Sequence, residues 1–93
     1  MRAYERLLEY VKFPTASDPE SKTCPSTEGQ RIFAEYLVKE MLALGVADAE
    51  LDENGYVTGT IQSNLTADTP TLGFIAHMDV SPDAPSVDIK TRI

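Results

Sequence analysis

A layered α/β fold is what the sequence predicts, from three observations. Two amphipathic stretches with helical period stand at its front, and a hairpin signature stands at its middle. The third is the run Thr71-Leu72-Gly73-Phe74-Ile75-Ala76-His77, which is too continuously apolar for a strand with one wet face. A strand buried on both faces needs covering helices. The order α, α, β, β, β therefore predicts a layered domain whose sheet continues after Ile93.

The first helix is predicted over about residues 2–13, where Tyr4, Leu7, Leu8 and Val11 fall at i, i+3, i+4 and i+7 and form one apolar stripe. Pro14 ends it, because proline restricts the residue before it and lacks an N–H to continue the ladder. Residues 15–25 are rich in Ser, Thr, Pro and Asp without apolar period, and read as a surface loop. A second helix is predicted from Ser26 or Thr27, with Thr27-Glu28-Gly29-Gln30 at capping-box spacing and a core stripe of Phe33, Tyr36, Leu37, Met41 and Leu44. Gly45 suits the left-handed position that closes it. Residues 47–51 alternate, Asn54-Gly55 is a hairpin turn, and residues 56–61 alternate again, which predicts two antiparallel strands. Residues 81–86 are turn-forming, and residues 87–93 could begin another strand.

A net charge of −7 on 93 residues, with no cluster of Lys and Arg, argues against a nucleic-acid partner. No apolar run reaches the ~20 residues that cross a bilayer, so no membrane association is expected. Cys24 is the only cysteine, which precludes an internal disulfide and reads as a bystander or a structural thiol. With no signal-peptide pattern after Met1-Arg2, a cytoplasmic location is the expectation.

The residues that could carry chemistry are His77 and Asp79, at the end of the apolar run. On an extended backbone side chains alternate, so both would point to one side and Met78 to the other. An imidazole at the C-terminal edge of a strand, followed by a carboxylate able to orient its second ring nitrogen, fits a zinc ligand with its supporting acid. The same pair also fits a satisfied polar contact in a turn, and a single histidine cannot complete a zinc site from histidines.

The run Gly73-Phe74-Ile75-Ala76-His77-Met78-Asp79-Val80-Ser81-Pro82-Asp83 resembles the first metal-ligand segment of the peptidase T family, the tripeptide aminopeptidases of the M20 metallopeptidases. Pro25-Ser26-Thr27-Glu28-Gly29-Gln30 and the opening Glu5-Arg6-Leu7-Leu8-Glu9-Tyr10-Val11 extend the resemblance over essentially the whole chain. Val80 departs from the threonine more usual there, without touching either proposed role. The resemblance implies that residues 1–93 are the N-terminal part of a layered α/β/α zinc-exopeptidase catalytic domain with a mixed sheet. The lid domain and the rest of the catalytic domain would lie outside this sequence. It also implies a dinuclear zinc aminopeptidase that releases the N-terminal residue of a tripeptide, in which His77 ligates one of the two Zn2+ ions and Asp79 is the catalytic-site aspartate supporting it. The remaining ligands and the glutamate general base belong to segments this sequence does not contain, so the chain alone is expected to be inactive and prone to self-association. Two other readings stay open: a truncated, non-catalytic interaction module acting through an exposed sheet edge, and another M20 hydrolase such as a carboxypeptidase or deacylase.

Overall fold

The computed structural model describes residues 1–93. Its elements run α1 (Ala3–Tyr10), α2 (Glu28–Ala43), β1 (Glu50–Leu51) and β2 (Val57–Thr58), with β1 and β2 paired antiparallel so that Glu50 faces Thr58 and Leu51 faces Val57. This is a small α+β arrangement of two helices and a two-stranded sheet.

The hairpin forms where the sequence predicts it, for local reasons. The Asp52 carboxylate accepts from the backbone N–H groups of Asn54 and Tyr56, both at 2.9 Å, and Gly55 takes a φ of +88° that side-chain-bearing residues rarely adopt. Gly45, at φ +97°, closes α2 in the predicted left-handed conformation. The capping box does not form as predicted. Thr27 is the N-cap of α2, but its hydroxyl donates to the Ala16 carbonyl at 2.8 Å, and the Gln30 side chain turns back onto the Thr27 and Ser26 hydroxyls. Thr27 ties the helix to the preceding loop rather than satisfying its own backbone.

The core is aromatic and small. Phe33 and Ala34 are its buried apolar residues, and the Tyr10 and Phe13 rings reach Phe33 at centroid distances of 5.4 and 5.1 Å, with Phe13 and Tyr36 at 4.9 Å. The predicted stripe on α1 needs correction. Tyr4 and Leu7 are 43% and 57% exposed, and α1 meets α2 through Tyr10 instead, because nothing in the chain covers the Tyr4–Leu7 side. Leu44 is likewise exposed at the end of the α2 stripe.

Glu40 fastens the two helices. Its carboxylate accepts from the Arg6 guanidinium at 2.6 Å and from the Tyr10 hydroxyl. Burial opposes the charge on Glu40, but the bonds from Tyr10 and Arg6 outweigh it and hold the carboxyl below its ordinary value. Burial first, and then the bond to Glu40, push the Tyr10 phenol up to about 12. A depressed carboxyl stabilises the fold above its unfolded value and loses that contribution as pH falls. A raised phenol loses its contribution as pH rises. Stability is therefore expected to drop below about pH 4.5 and again between about pH 10 and 12, and Glu40→Gln should flatten the acid limb. Urea midpoints across pH check this, and equal acid limbs in both proteins contradict it.

The largest departure from the sequence reading is the third strand. Residues 71–77 enter no ladder, and neither do residues 87–93. Phe74 is 90% exposed and Ile75 fully so. A strand apolar on both faces is stable only between neighbours, and no other segment of the chain pairs with this one. The consequence is an open molecule. Its radius of gyration is 15.5 Å, where a compact chain of this length has about 12 Å. Its accessible surface is 7719 Å2, roughly 2400 Å2 more than a compact monomer of its mass exposes.

Exposed apolar surface on this scale drives association. Sedimentation of the 93-residue chain should show an average mass that rises with concentration, and the pair Phe74→Lys and Ile75→Lys should suppress the rise. A concentration-independent monomer with one sharp, cooperative unfolding transition contradicts the expectation.

Candidate functional site

His77 and Asp79 are placed by one long-range backbone contact. Val80 bridges Ala16 in the parallel sense: the Val80 N–H donates to the Thr15 carbonyl at 3.2 Å, and the Ser17 N–H donates to the Val80 carbonyl at 3.0 Å. Thr15 is buried, so this clip has a fixed side, and the segment carrying the histidine ends against it.

The two predicted side chains come together. His77 Nδ1 lies 3.0 Å from Asp79 Oδ1. The hydrogen bond from His77 holds the Asp79 carboxyl below the usual carboxylate range against a partial desolvation. An ionised carboxylate can only accept, so Nδ1 carries the proton and donates it to Asp79. In the neutral form of that tautomer Nε2 carries the lone pair, on a side chain that is 84% exposed.

Around the pair runs an open cleft of about 380 Å3, bordered by Ser17, Cys24, Ser26, Gln30, Asn54 and Tyr56. On the other side of His77 lies an apolar trough between α2, the hairpin and residues 74–78, lined by Phe33, Leu37, Met41, Val57 and Phe74. Cys24 has no imidazole partner in hydrogen-bond contact; its thiol donates to the Asn54 carbonyl at 3.3 Å.

The donor chemistry fits one corner of a zinc site: a nitrogen ligand whose second ring nitrogen is fixed by a carboxylate. No group of three or more His, Cys, Asp or Glu side chains converges within the chain, so the pair by itself does not make a complete metal site. No helix is long and apolar enough to cross a membrane.

No protein-family model matches the chain. Similarity to individual proteins is extensive. The chain is 53% identical over 92 residues to a protein named peptidase T from Caldanaerobacter subterraneus subsp. tengcongensis, covering 99% of this chain and 22% of that protein. It is 50% identical over 93 residues to peptidase T of Parabacteroides distasonis, covering all of this chain and 23% of the relative. Identity to peptidase T of Vibrio cholerae serotype O1 is 47% over 88 residues, 95% of this chain and 22% of the relative. Over essentially its whole length the chain is similar to proteins named peptidase T. It matches the N-terminal part of these relatives and spans about 22% of their length.

The structure explains one glycine that the sequence reading treated only as part of a motif. A Cβ on Gly29 would stand 1.9 Å from the Pro14 carbonyl oxygen, a backbone atom that cannot swing away. Gly29 thus lets the first turn of α2 close onto Pro14 in the segment after α1, next to the Thr15–Ser17 clip. Gly29→Ala is expected to cost about 1–3 kcal/mol through forced backbone displacement, read as a lower urea midpoint. An unchanged midpoint contradicts this packing.

Sequence reasoning missed Ser17 and Thr15. They sat in a loop assigned to the surface, and the only available signal was the alternation Thr15-Ala16-Ser17, which can pair one edge while turning both hydroxyls to one side.

Proposed function

We propose that residues 1–93 form the front of the catalytic domain of a dinuclear zinc aminopeptidase of peptidase T type, which releases the N-terminal residue of a tripeptide. In this reading His77 ligates one zinc ion through Nε2, and Asp79 fixes its tautomer and ring orientation. The observation that carries the reading is the 3.0 Å contact of His77 Nδ1 with Asp79 on an otherwise exposed imidazole, in a chain about half identical to peptidase T.

The second zinc ion, the other ligands, the general base and the lid that encloses the peptide belong to polypeptide beyond these residues, as does the rest of a layered α/β/α domain. The excess of exposed surface and the unpaired residues 71–77 support that reading, since further strands and helices are what would cover them. Zinc bound there supplies Lewis acidity toward a peptide carbonyl. The chain's own part is to hold one imidazole in the ligating tautomer and to line one wall of the cleft.

The test is a full-length peptidase T carrying this chain in place of its own matching segment. Zinc-dependent release of the N-terminal residue from a tripeptide supports the proposal. Hydrolysis confined to N-terminally blocked or acylated substrates would overturn it in favour of a carboxypeptidase or deacylase.

A further inference from the structure

Residues 61–93 carry the His77–Asp79 pair, and every hydrogen bond that joins them to the rest of the chain is made by Val80. The place of His77 is therefore set at one point. The Val80 N–H donates to the Thr15 carbonyl and the Val80 carbonyl accepts from the Ser17 N–H, so the pair stands no more steadily than residues 15–17 do. Those residues lie between α1 and α2 with no ladder partner besides Val80. Something else must hold them.

The start of α2 does so. Along an extended strand successive carbonyls point to opposite edges, so the Thr15 carbonyl faces Val80 while the Ala16 carbonyl faces away. Thr27 takes that far edge: its hydroxyl donates to the Ala16 carbonyl at 2.8 Å. Beside it the Ser26 hydroxyl accepts from the Asp18 N–H at 3.0 Å. Gln30, in the first turn of α2, donates from its side-chain amide to both hydroxyls, at 2.9 Å to Ser26 and 3.0 Å to Thr27. The donors and acceptors match: Thr27 has given its one proton to Ala16 and can only accept from Gln30, whose amide nitrogen has a hydrogen for each hydroxyl. A threonine at an N-cap ordinarily accepts from the free N–H groups of its own helix. Thr27 makes no such bond, and its hydroxyl is turned to the strand that holds Val80.

We propose that Thr27 is a positioning residue for the metal corner: supported by Gln30, it locks the far edge of residues 15–17 and so fixes where Val80 holds the His77 segment. The segment Pro25-Ser26-Thr27-Glu28-Gly29-Gln30 thereby acts on a side chain some 50 residues away in sequence, through contacts that pass from Thr27 to Ala16 to Val80. Being an assignment toward a zinc ligand, it rests on the function proposed above.

The experiment compares Thr27→Val, Thr27→Ser, Glu40→Gln and His77→Ala in a full-length peptidase T that carries residues 1–93. Zinc affinity is measured by chelator competition, the ligand field by Co(II) absorption, the clip by amide hydrogen exchange at Ser17 and Val80, and folding by melting temperature. Thr27→Val keeps the shape and loses the hydroxyl. It is expected to speed exchange at Ser17 and Val80 and to weaken zinc at the His77 position, each roughly three- to tenfold, the worth of one hydrogen bond, with a changed Co(II) spectrum. Thr27→Ser, which keeps the hydroxyl, should restore all three. Glu40→Gln, which loosens the helices away from the clip, should lower the melting temperature and leave zinc affinity and spectrum as they were. Wild-type affinity and spectrum in Thr27→Val overturn the inference, while a loss in His77→Ala leaves the metal-corner reading standing. A zinc loss in Thr27→Val that Thr27→Ser does not rescue, or that Glu40→Gln reproduces, also overturns it, as a purely structural role. Unchanged zinc affinity in His77→Ala overturns both readings.

Discussion

His77→Ala, in a full-length peptidase T carrying this chain, is expected to lower tripeptide hydrolysis by more than about 100-fold, beyond the roughly 10- to 100-fold that loss of a merely orienting group costs. The reasoning follows the proton. Asp79 occupies Nδ1, so Nε2 is the sole ligating atom the chain offers from an imidazole, and alanine removes it outright. Asp79→Asn should fall inside the 10- to 100-fold range instead, since an amide can still hold the ring but favours the wrong tautomer as readily as the right one. The ordering of the two losses is the informative quantity. If Asp79→Asn costs more than His77→Ala, the roles assigned to the two side chains are reversed or wrong.

Phe33→Ala is the second large effect, and it acts on the fold. Phe33 is 6% exposed and holds the Tyr10, Phe13 and Tyr36 rings together, so truncation leaves a cavity where the two helices meet. Such a change costs about 3–5 kcal/mol. A compact domain of this length has only about 5–14 kcal/mol in total, and this chain, with its open side, lies toward the lower end. The isolated variant should therefore lose most of its far-ultraviolet helical signal at room temperature. Retention of that signal together with the wild-type urea midpoint would show that the aromatic cluster does not hold α1 to α2.

What was legible in the sequence was local. Asn54-Gly55 specifies its turn through Asp52 and a positive φ, and α2 follows from its own apolar stripe and the glycine that ends it. The contact of His77 with Asp79 was legible because a two-residue spacing on an extended backbone puts side chains on one side. The illegible parts depend on distant or external partners. Residues 71–77 have the composition of a central strand, but strand formation requires neighbours that this chain does not supply. The apolar pattern on α1 gave Tyr4 and Leu7 an inward face, whereas the side that packs is fixed by Tyr10 and by Glu40, 34 residues from Arg6. Ser17 could not be connected to Val80 by any local rule, since only the parallel bridge between Ala16 and Val80 brings them together.

The most direct test of the account is zinc-supplemented tripeptide hydrolysis by the 93-residue chain alone, beside a chimera in which it replaces the matching segment of the Caldanaerobacter subterraneus relative. The account predicts no hydrolysis by the isolated chain and release of the N-terminal residue by the chimera. Hydrolysis by the isolated chain, or a folded chimera that binds zinc but leaves the tripeptide intact, would contradict it.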